Sequence, residues 1–276
     1  MEKSSNKFLQ GIIYFLFIFF AVLIILPLIW MVLTGFKTNK ELFLNPFSLP
    51  KEWKWQNYIQ AWNSGIGLYL KNSFLITVIS TFISTALSCL AAYPLSRLHF
   101  KTKRLWVYVI MGGLMLAPQS SLISLYSMIS WMHLVDTQLG LEIVDAVFRI
   151  PFATFLFMTF FQGISYSLEE SAYLDGATTR QIFFSIILPL SKPMIASCCI
   201  ISFRAVWNEL MFANVLLQST SKKTVPLGLI NMQGMTTANW TVIIAGTVIA
   251  SLPLLIAFIV LQKQFVRGLT AGSVKG

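Results

Sequence analysis

The sequence predicts an all-α membrane protein with six spanning helices. Hydrophobic residues make up 56% of the chain against 11% charged, and the mean hydropathy is +0.73. A soluble domain carries about 25% charged residues, so a chain this poor in charge must turn most of its exterior to lipid. Apolar stretches of roughly 20 residues, the length a helix needs to cross hydrocarbon, recur along the chain.

The first stretch runs from Gly11 to Phe36 and follows Lys3 and Lys7. It is too long for the apolar region of a cleaved signal peptide and reads as a retained anchor, with Pro27 expected to mark a tolerated kink. Five more follow: Leu70–Ser96, Leu105–Trp131, Ala146–Ile164, Pro193–Leu217 and Thr241–Gln262. Arg149 and Pro151 stand near the start of the fourth. The expected organisation is an anchor helix with a first external loop over 1–69, a five-helix core over 70–262, and a tail over 263–276. An even number of spans puts both termini on one side. The short segment Arg97 to Arg104 carries four basic residues, and short basic loops stay inside. Both termini are therefore expected in the cytoplasm, in a multi-pass plasma membrane protein.

The net charge of +10 would raise nucleic-acid binding in a soluble protein. Here the basic residues flank apolar stretches, where they set topology and meet anionic headgroups, and nucleic acid is excluded as a partner. Cys89, Cys198 and Cys199 all lie inside apolar runs and read as small buried residues without disulfide or redox chemistry. His99 and His133 have no metal-ligand spacing. In the first external loop, Trp53, Trp55, Tyr58 and Trp62 suit an element lying at the headgroup level; carbohydrate stacking is the less favoured alternative.

Residues 165–192, between the fourth and fifth spans, are the most informative. Leu168 to Leu174 suits a short helix with Glu169 and Glu170 in its first turn, facing the positive end of the dipole. Gly176 suits the left-handed position that closes such a helix. Thr178 and Gln181 match a capping box opening a second helix, which Pro189 is expected to break. A compact polar helix–Gly–helix element projecting from a bundle is suited to docking, with acidic residues, an exposed Tyr173 and a small Ala172; the plain alternative is a surface hairpin joining two spans.

The pattern Glu170-Ser171-Ala172, three residues, Gly176, nine residues, then Ile186-x-Leu188-Pro189 resembles the E-A-A-x3-G-x9-I-x-L-P signature of bacterial ABC-importer permeases, with Ser171 where alanine is usual. Trp207-Asn208-Glu209 resembles a stretch of maltose-type carbohydrate permeases, and Phe265 to Gly276 resembles the tail of their shorter, MalG-like subunit, with Ser273 in place of alanine. Ser165 stands where a proline commonly precedes the loop. The resemblance implies the type I importer (MetI-like) permease fold in a bacterial inner membrane. It further implies a second homologous permease, two ATPase subunits, an extracellular solute-binding protein and a carbohydrate substrate. By that analogy Glu169, Glu170, Ser171, Ala172, Tyr173, Asp175, Gly176 and Ala177 meet the ATPase. The chain has no G-x-x-x-x-G-K-[ST] phosphate loop, so ATP and magnesium belong to the partners; the chain itself is a transport subunit, not an enzyme, and binds no cofactor. A permease for another solute, such as glycerol-3-phosphate or a polyol, is the alternative.

Arg204, Asn208 and Glu209 fall inside the expected fifth span. Charge there costs about 2.5–3.5 kcal/mol on insertion scales, so they either line a translocation path or hold helices together. On a continuous helix Arg204 and Asn208 would share a face. Gln119 and Ser120, with Ser121 and Ser124, place polar groups in the third span; they could bond a sugar, although serine also permits close helix approach. Asn231, Gln233 and Gly234 lie in the last external loop, where the resemblance implies contact with the binding protein and an ordinary connector is the alternative.

Overall fold

The computed structural model describes the backbone of residues 2–233 and 239–271, and the side chains of 9–233 and 239–260. Among the described residues every regular element is helical. The principal helices are α1 Glu2–Gly35, α2 Asn39–Leu44, α3 Gln56–Ala61, α4 Gly67–Arg97, α5 Lys103–Gly112, α6 Leu122–Trp131 and α7 Gln138–Gly163. They continue with α8 Ser167–Leu174, α9 Thr179–Ile182, α10 Leu188–Leu190, α11 Lys192–Trp207, α12 Met211–Leu216, α13 Val225–Gln233 and α14 Trp240–Ala271.

Four helical stretches are long and apolar enough to cross a membrane: Leu9–Gly35, Gln56–Arg97, which is kinked at Gly65 (φ +106°), Gln138–Gly163 and Trp240–Val260. Two bent pairs bring the number to six when each is one crossing: Lys103–Met115 with Pro118–Trp131 at 96°, and Thr179–Leu190 with Lys192–Trp207 at 70°. The expected third span is therefore not one rod. Leu116 and Ala117 turn to extended backbone (ψ 115° and 120°), because Pro118 disfavours a helical residue before it. The fourth helix begins eight residues earlier than expected, at Gln138, where Thr137 caps it by accepting from Gly140 N; Arg149 and Pro151 thus lie inside it. The fifth helix ends at Trp207, ten residues short of the expected Leu217. Residues 218–240, expected as the last external loop, carry the helix α13. The final helix continues to Ala271, into the expected tail; residues 272–276 lie outside the described residues.

The chain divides into two compact units, 1–67 with 229–251, and 68–228 with 252–276. The segment 229–251, read from sequence as part of the five-helix core, thus groups with the anchor.

In the first unit Asn57 is the organising residue. Its Nδ2 donates to Gly35 O (2.9 Å), Lys37 O (2.8 Å) and Thr241 Oγ1 (3.3 Å), which satisfies carbonyls freed where α1 ends. Lys37 is fully buried and spends its ammonium on Asn45 O and Pro46 O at 3.2 and 2.8 Å. Around Phe36 pack Trp53, Trp55 and Tyr58, with ring centroids 5.1, 4.6 and 4.7 Å away. Three of the aromatic residues expected at a headgroup surface thus also cover the buried Phe36, while Trp53 and Trp55 stay exposed.

In the second unit α4 lays a stripe of small polar residues against its neighbours. Ser73, Thr77, Ser80, Ser84, Ser88 and Ala92 are all buried. Ser80 Oγ donates to Glu142 O at 3.1 Å and Ser88 Oγ to Ile150 O at 3.2 Å, both on α7. Leaving lipid for another helix gains apolar side chains little, so close backbone approach and interhelical hydrogen bonds carry the association. One core gathers Ile76, Leu125, Ile129, Val144, Phe212 and Leu216; another gathers Tyr93, Phe157, Phe161, Ile182, Ile187 and Met194.

Asp136 ties the 132–137 turn to the segment after α12. Its carboxylate accepts from Ser219 Oγ (2.5 Å) and from the backbone N–H groups of Ser219 and Gln218 (both 2.9 Å), and lies 3.3 Å from Lys222 Nζ. These donors, the Ser219 hydroxyl foremost, hold its pKa well below the usual carboxylate range. A pKa lower in the folded state than the unfolded value of about 3.9 stabilises the fold above that value, and the contribution is lost as pH falls below it. The thermal midpoint should therefore drop more steeply below about pH 4 in the native chain than in Asp136→Asn. Superimposable pH profiles would remove Asp136 as the titrating tie.

Candidate functional site

The 165–192 element folds locally for reasons written in its residues. In α8, Asp175 N bonds Ser171 O at 3.0 Å, Gly176 N bonds Tyr173 O at 3.0 Å, and Ala177 N bonds Ala172 O at 2.9 Å. The last two bonds are the pair that closes a helix when the residue after the cap is left-handed. That residue is Gly176, at φ +82°. Thr178 then forms the expected capping box: its Oγ1 accepts from Gln181 N (3.3 Å) and Gln181 Oε1 accepts from Thr178 N (2.8 Å). Pro189 does not break the second helix. Leu188 before it is helical (φ −63°, ψ −44°), and the preceding turn, Phe183–Ile187, widens to an i→i+5 pattern. That widening gives room for the proline ring, which would otherwise press on the carbonyl four residues back. The break comes at Ser191, whose Oγ bonds Ile187 O at 2.6 Å.

Of the residues expected to meet a partner, Glu170, Ser171, Tyr173, Asp175 and Gly176 are exposed, and Ala177 is half-exposed. Leu174 at the tip is 89% exposed, a large apolar side chain for which the sequence gives no separate signal. Glu169 and Ala172 face inward. Ala172 joins Ile182, Phe183 and Ile187 against Ala92, Tyr93, Phe157 and Phe161. Glu169 lies 3.1 Å from Arg97 Nε and accepts from Tyr93 Oη at 3.1 Å. Arg97, which reads in the sequence only as a topological charge, is buried; its Nη2 donates to Phe161 O and to Ile164 O, and its guanidinium lies 4.1 Å from the Tyr166 ring centroid. The signal for it is the four-residue step from Tyr93 to Arg97 on one helix face.

A Cβ at Gly176 would meet no atom of the chain within 4 Å. The constraint there within the chain is backbone conformation.

The polar residues of the spans sit at the two breaks. Gln119 and Ser120 occupy the turn Pro118–Ser121 and are exposed. Asn208 and Glu209 fall between α11 and α12, so the helical-face relation expected of Arg204 and Asn208 is replaced by a terminus: Asn208 Nδ2 donates to Arg204 O at 2.8 Å. Arg204 is exposed beside Ile200, Phe203, Leu254 and Leu255. Glu209 caps α12, its carboxylate accepting from Phe212 N (2.6 Å) and Ala213 N (2.9 Å). The neighbours of Glu209 are not evident from the sequence. Asp145 is fully buried on α7 with both carboxylate oxygens unbonded, and Arg149 one turn on and Glu209 are the charges it feels. Asn231 and Gln233 are exposed at the end of α13; Gly234 lies outside the described residues. Among the described residues no group of three His, Cys, Asp or Glu could hold a metal.

Residues 1–271 match the family model described as binding-protein-dependent transport system inner membrane component. The chain belongs to this family. It is similar to a probable ABC transporter permease protein, YurM of Bacillus subtilis, at 41% identity over the whole chain and 92% of the relative. It is also similar to the trehalose/maltose transport system permease protein MalG of Thermococcus litoralis, at 33% identity over 94% of each. Among solved structures, a bacterial ABC transporter involved in the import of the acidic polysaccharide alginate shares the fold, with a TM-score of 0.80 and 23% identity, over 95% of this chain and 98% of the other. This protein is accordingly the membrane permease subunit of an ABC importer; it is not a catalytic chain, and hydrolysis falls to a separate ATPase subunit. The helix–Gly–helix element of this permease leaves Glu170, Tyr173 and Leu174 exposed.

Proposed function

We propose that this permease carries a carbohydrate, an oligosaccharide in the first instance, across a bacterial plasma membrane by alternating access. It pairs with a second, homologous permease; two ATPase subunits dock on the inner side and an extracellular binding protein delivers the sugar. The observation that carries this reading is the two-faced α8: one face is packed into the bundle through Glu169 and Ala172, and the other offers Glu170, Tyr173 and Leu174 to water. A soluble protein that buries Leu174 gains roughly 1.5–3 kcal/mol from it, and Glu170 adds a charge-assisted bond. The name of the Thermococcus relative supports the carbohydrate class.

In this reading the four basic residues of 97–104 and both termini lie in the cytoplasm with α8. Gln119 and Ser120, with Arg204, Asn208 and Glu209 at the other break, border the path, because breaks expose polar backbone where a solute passes. Asn231, Gln233 and Gly234 face the binding protein.

The test is co-purification of the ATPase with the permease from membranes, combined with uptake of radiolabelled maltotriose and raffinose by proteoliposomes. Glu170→Ala should weaken ATPase retention by about 1–3 kcal/mol, and Leu174→Ser by a similar amount, with membrane insertion unchanged. Full retention in the double variant would show that α8 is only a connector.

A further inference from the structure

The buried side of α8 poses a separate question. The Arg97–Glu169 pair sits out of water, where the cost of desolvating two charges can exceed their attraction, and an apolar pair of similar volume would hold the element as well. Stability therefore does not account for it. What the pair adds is direction. From the last residue of α4 the guanidinium meets two other helices: its Nε pairs with Glu169 Oε1 in α8 at 3.1 Å, its Nη2 donates to the Phe161 and Ile164 carbonyls at the C-terminal end of α7, and its plane lies by the Tyr166 ring at the entry to α8. Tyr93 Oη, one turn back on α4, holds the second oxygen of Glu169. The ends of α4 and α7 and the start of α8 thus meet at one planar cation.

We propose that Arg97 is the positioning residue that makes α8, α4 and α7 move as one body, so that a displacement of the docked α8 is passed to the two spans without slack. The inference rests on the reading that α8 docks on the ATPase, but the clamp itself is independent of the docked face. Planarity is essential to it, because a lysine supplies the same charge without the fixed fork.

The test uses the assembled transporter with spin labels at Leu168→Cys on α8, outside the docking face, and Leu75→Cys on the exposed face of α4, both 40% or more exposed. Inter-label distances are recorded in the nucleotide-free state and with ATP and vanadate. The native pair should give one narrow distribution, unchanged by nucleotide. Arg97→Met/Glu169→Gln, a neutral pair of similar size, should keep the thermal midpoint yet give a broad distribution that shifts with nucleotide. Arg97→Lys should fall between. Native distributions in both variants would overturn the proposal, and so would broadening that merely tracks a fallen midpoint; if the double variant does not insert, the lysine variant decides. Loss of ATPase from the native complex would count against the docking reading alone, because the nucleotide-free distances still report on the clamp.

Discussion

Gly176→Pro is expected to abolish transport while leaving the permease inserted and paired. The backbone there is at φ +82°, and proline is confined near −65°, so the turn between α8 and α9 cannot form. Proline also removes the Gly176 N–H that bonds Tyr173 O at 3.0 Å. The consequence falls on the docking face, because Leu174 and Asp175 precede the turn and the Thr178 capping box follows it. Gly176→Ala separates conformation from bulk. A Cβ there has open space within the chain, so the cost is that of holding an L-residue left-handed, about 1–2 kcal/mol. That corresponds to a roughly 5–30-fold loss in the population of the native turn. Uptake and ATPase retention measured on the same membranes check both variants. Full uptake with Gly176→Pro would mean that the turn carries no force.

Glu209→Ala should be the more damaging change within the spans. Its carboxylate takes the N–H groups of Phe212 and Ala213 at 2.6 and 2.9 Å, and Phe212 and Ala213 themselves are buried. With the acceptor gone, each donor left unbonded costs about 1–3 kcal/mol. A smaller effect works the other way, since removing Glu209 relieves the charge facing buried Asp145. The cap should win because its bonds are direct. Glu209→Gln keeps one acceptor and removes the charge, so its thermal midpoint should lie between the native and alanine values. An alanine variant as stable as the glutamine one would show that α12 does not depend on this cap.

Much of the helix–Gly–helix element is legible in the sequence. Thr178 and Gln181 form a capping box and Gly176 closes α8, because each depends on contacts within four or five residues. The crossing stretches are legible too, as runs of apolar side chains, and the family they belong to can be read from spaced residues of the 165–192 loop. Their interruptions are not. Pro118 stands in plain view, yet whether a proline ends a helix is settled by what surrounds it: Ala117 turns extended before Pro118, while Pro27, Pro151 and Pro253 sit inside continuous helices.

By itself the sequence determined that the chain lives in lipid, which stretches are apolar enough to cross it, and which loop carries the family's signature, since hydropathy and local hydrogen-bonding patterns need no distant neighbour. Tertiary structure decided which side of that loop is free. Glu169 and Glu170 are adjacent and alike as residues, but 100° apart on a helix, and only Arg97 and Tyr93, more than 70 residues away in the chain, determine that the first is buried and the second exposed. The same holds for Glu209, which reads as a charge inside a span until the break after Trp207 turns it into the cap of α12. Burial and pairing are long-range properties, and no local pattern encodes them.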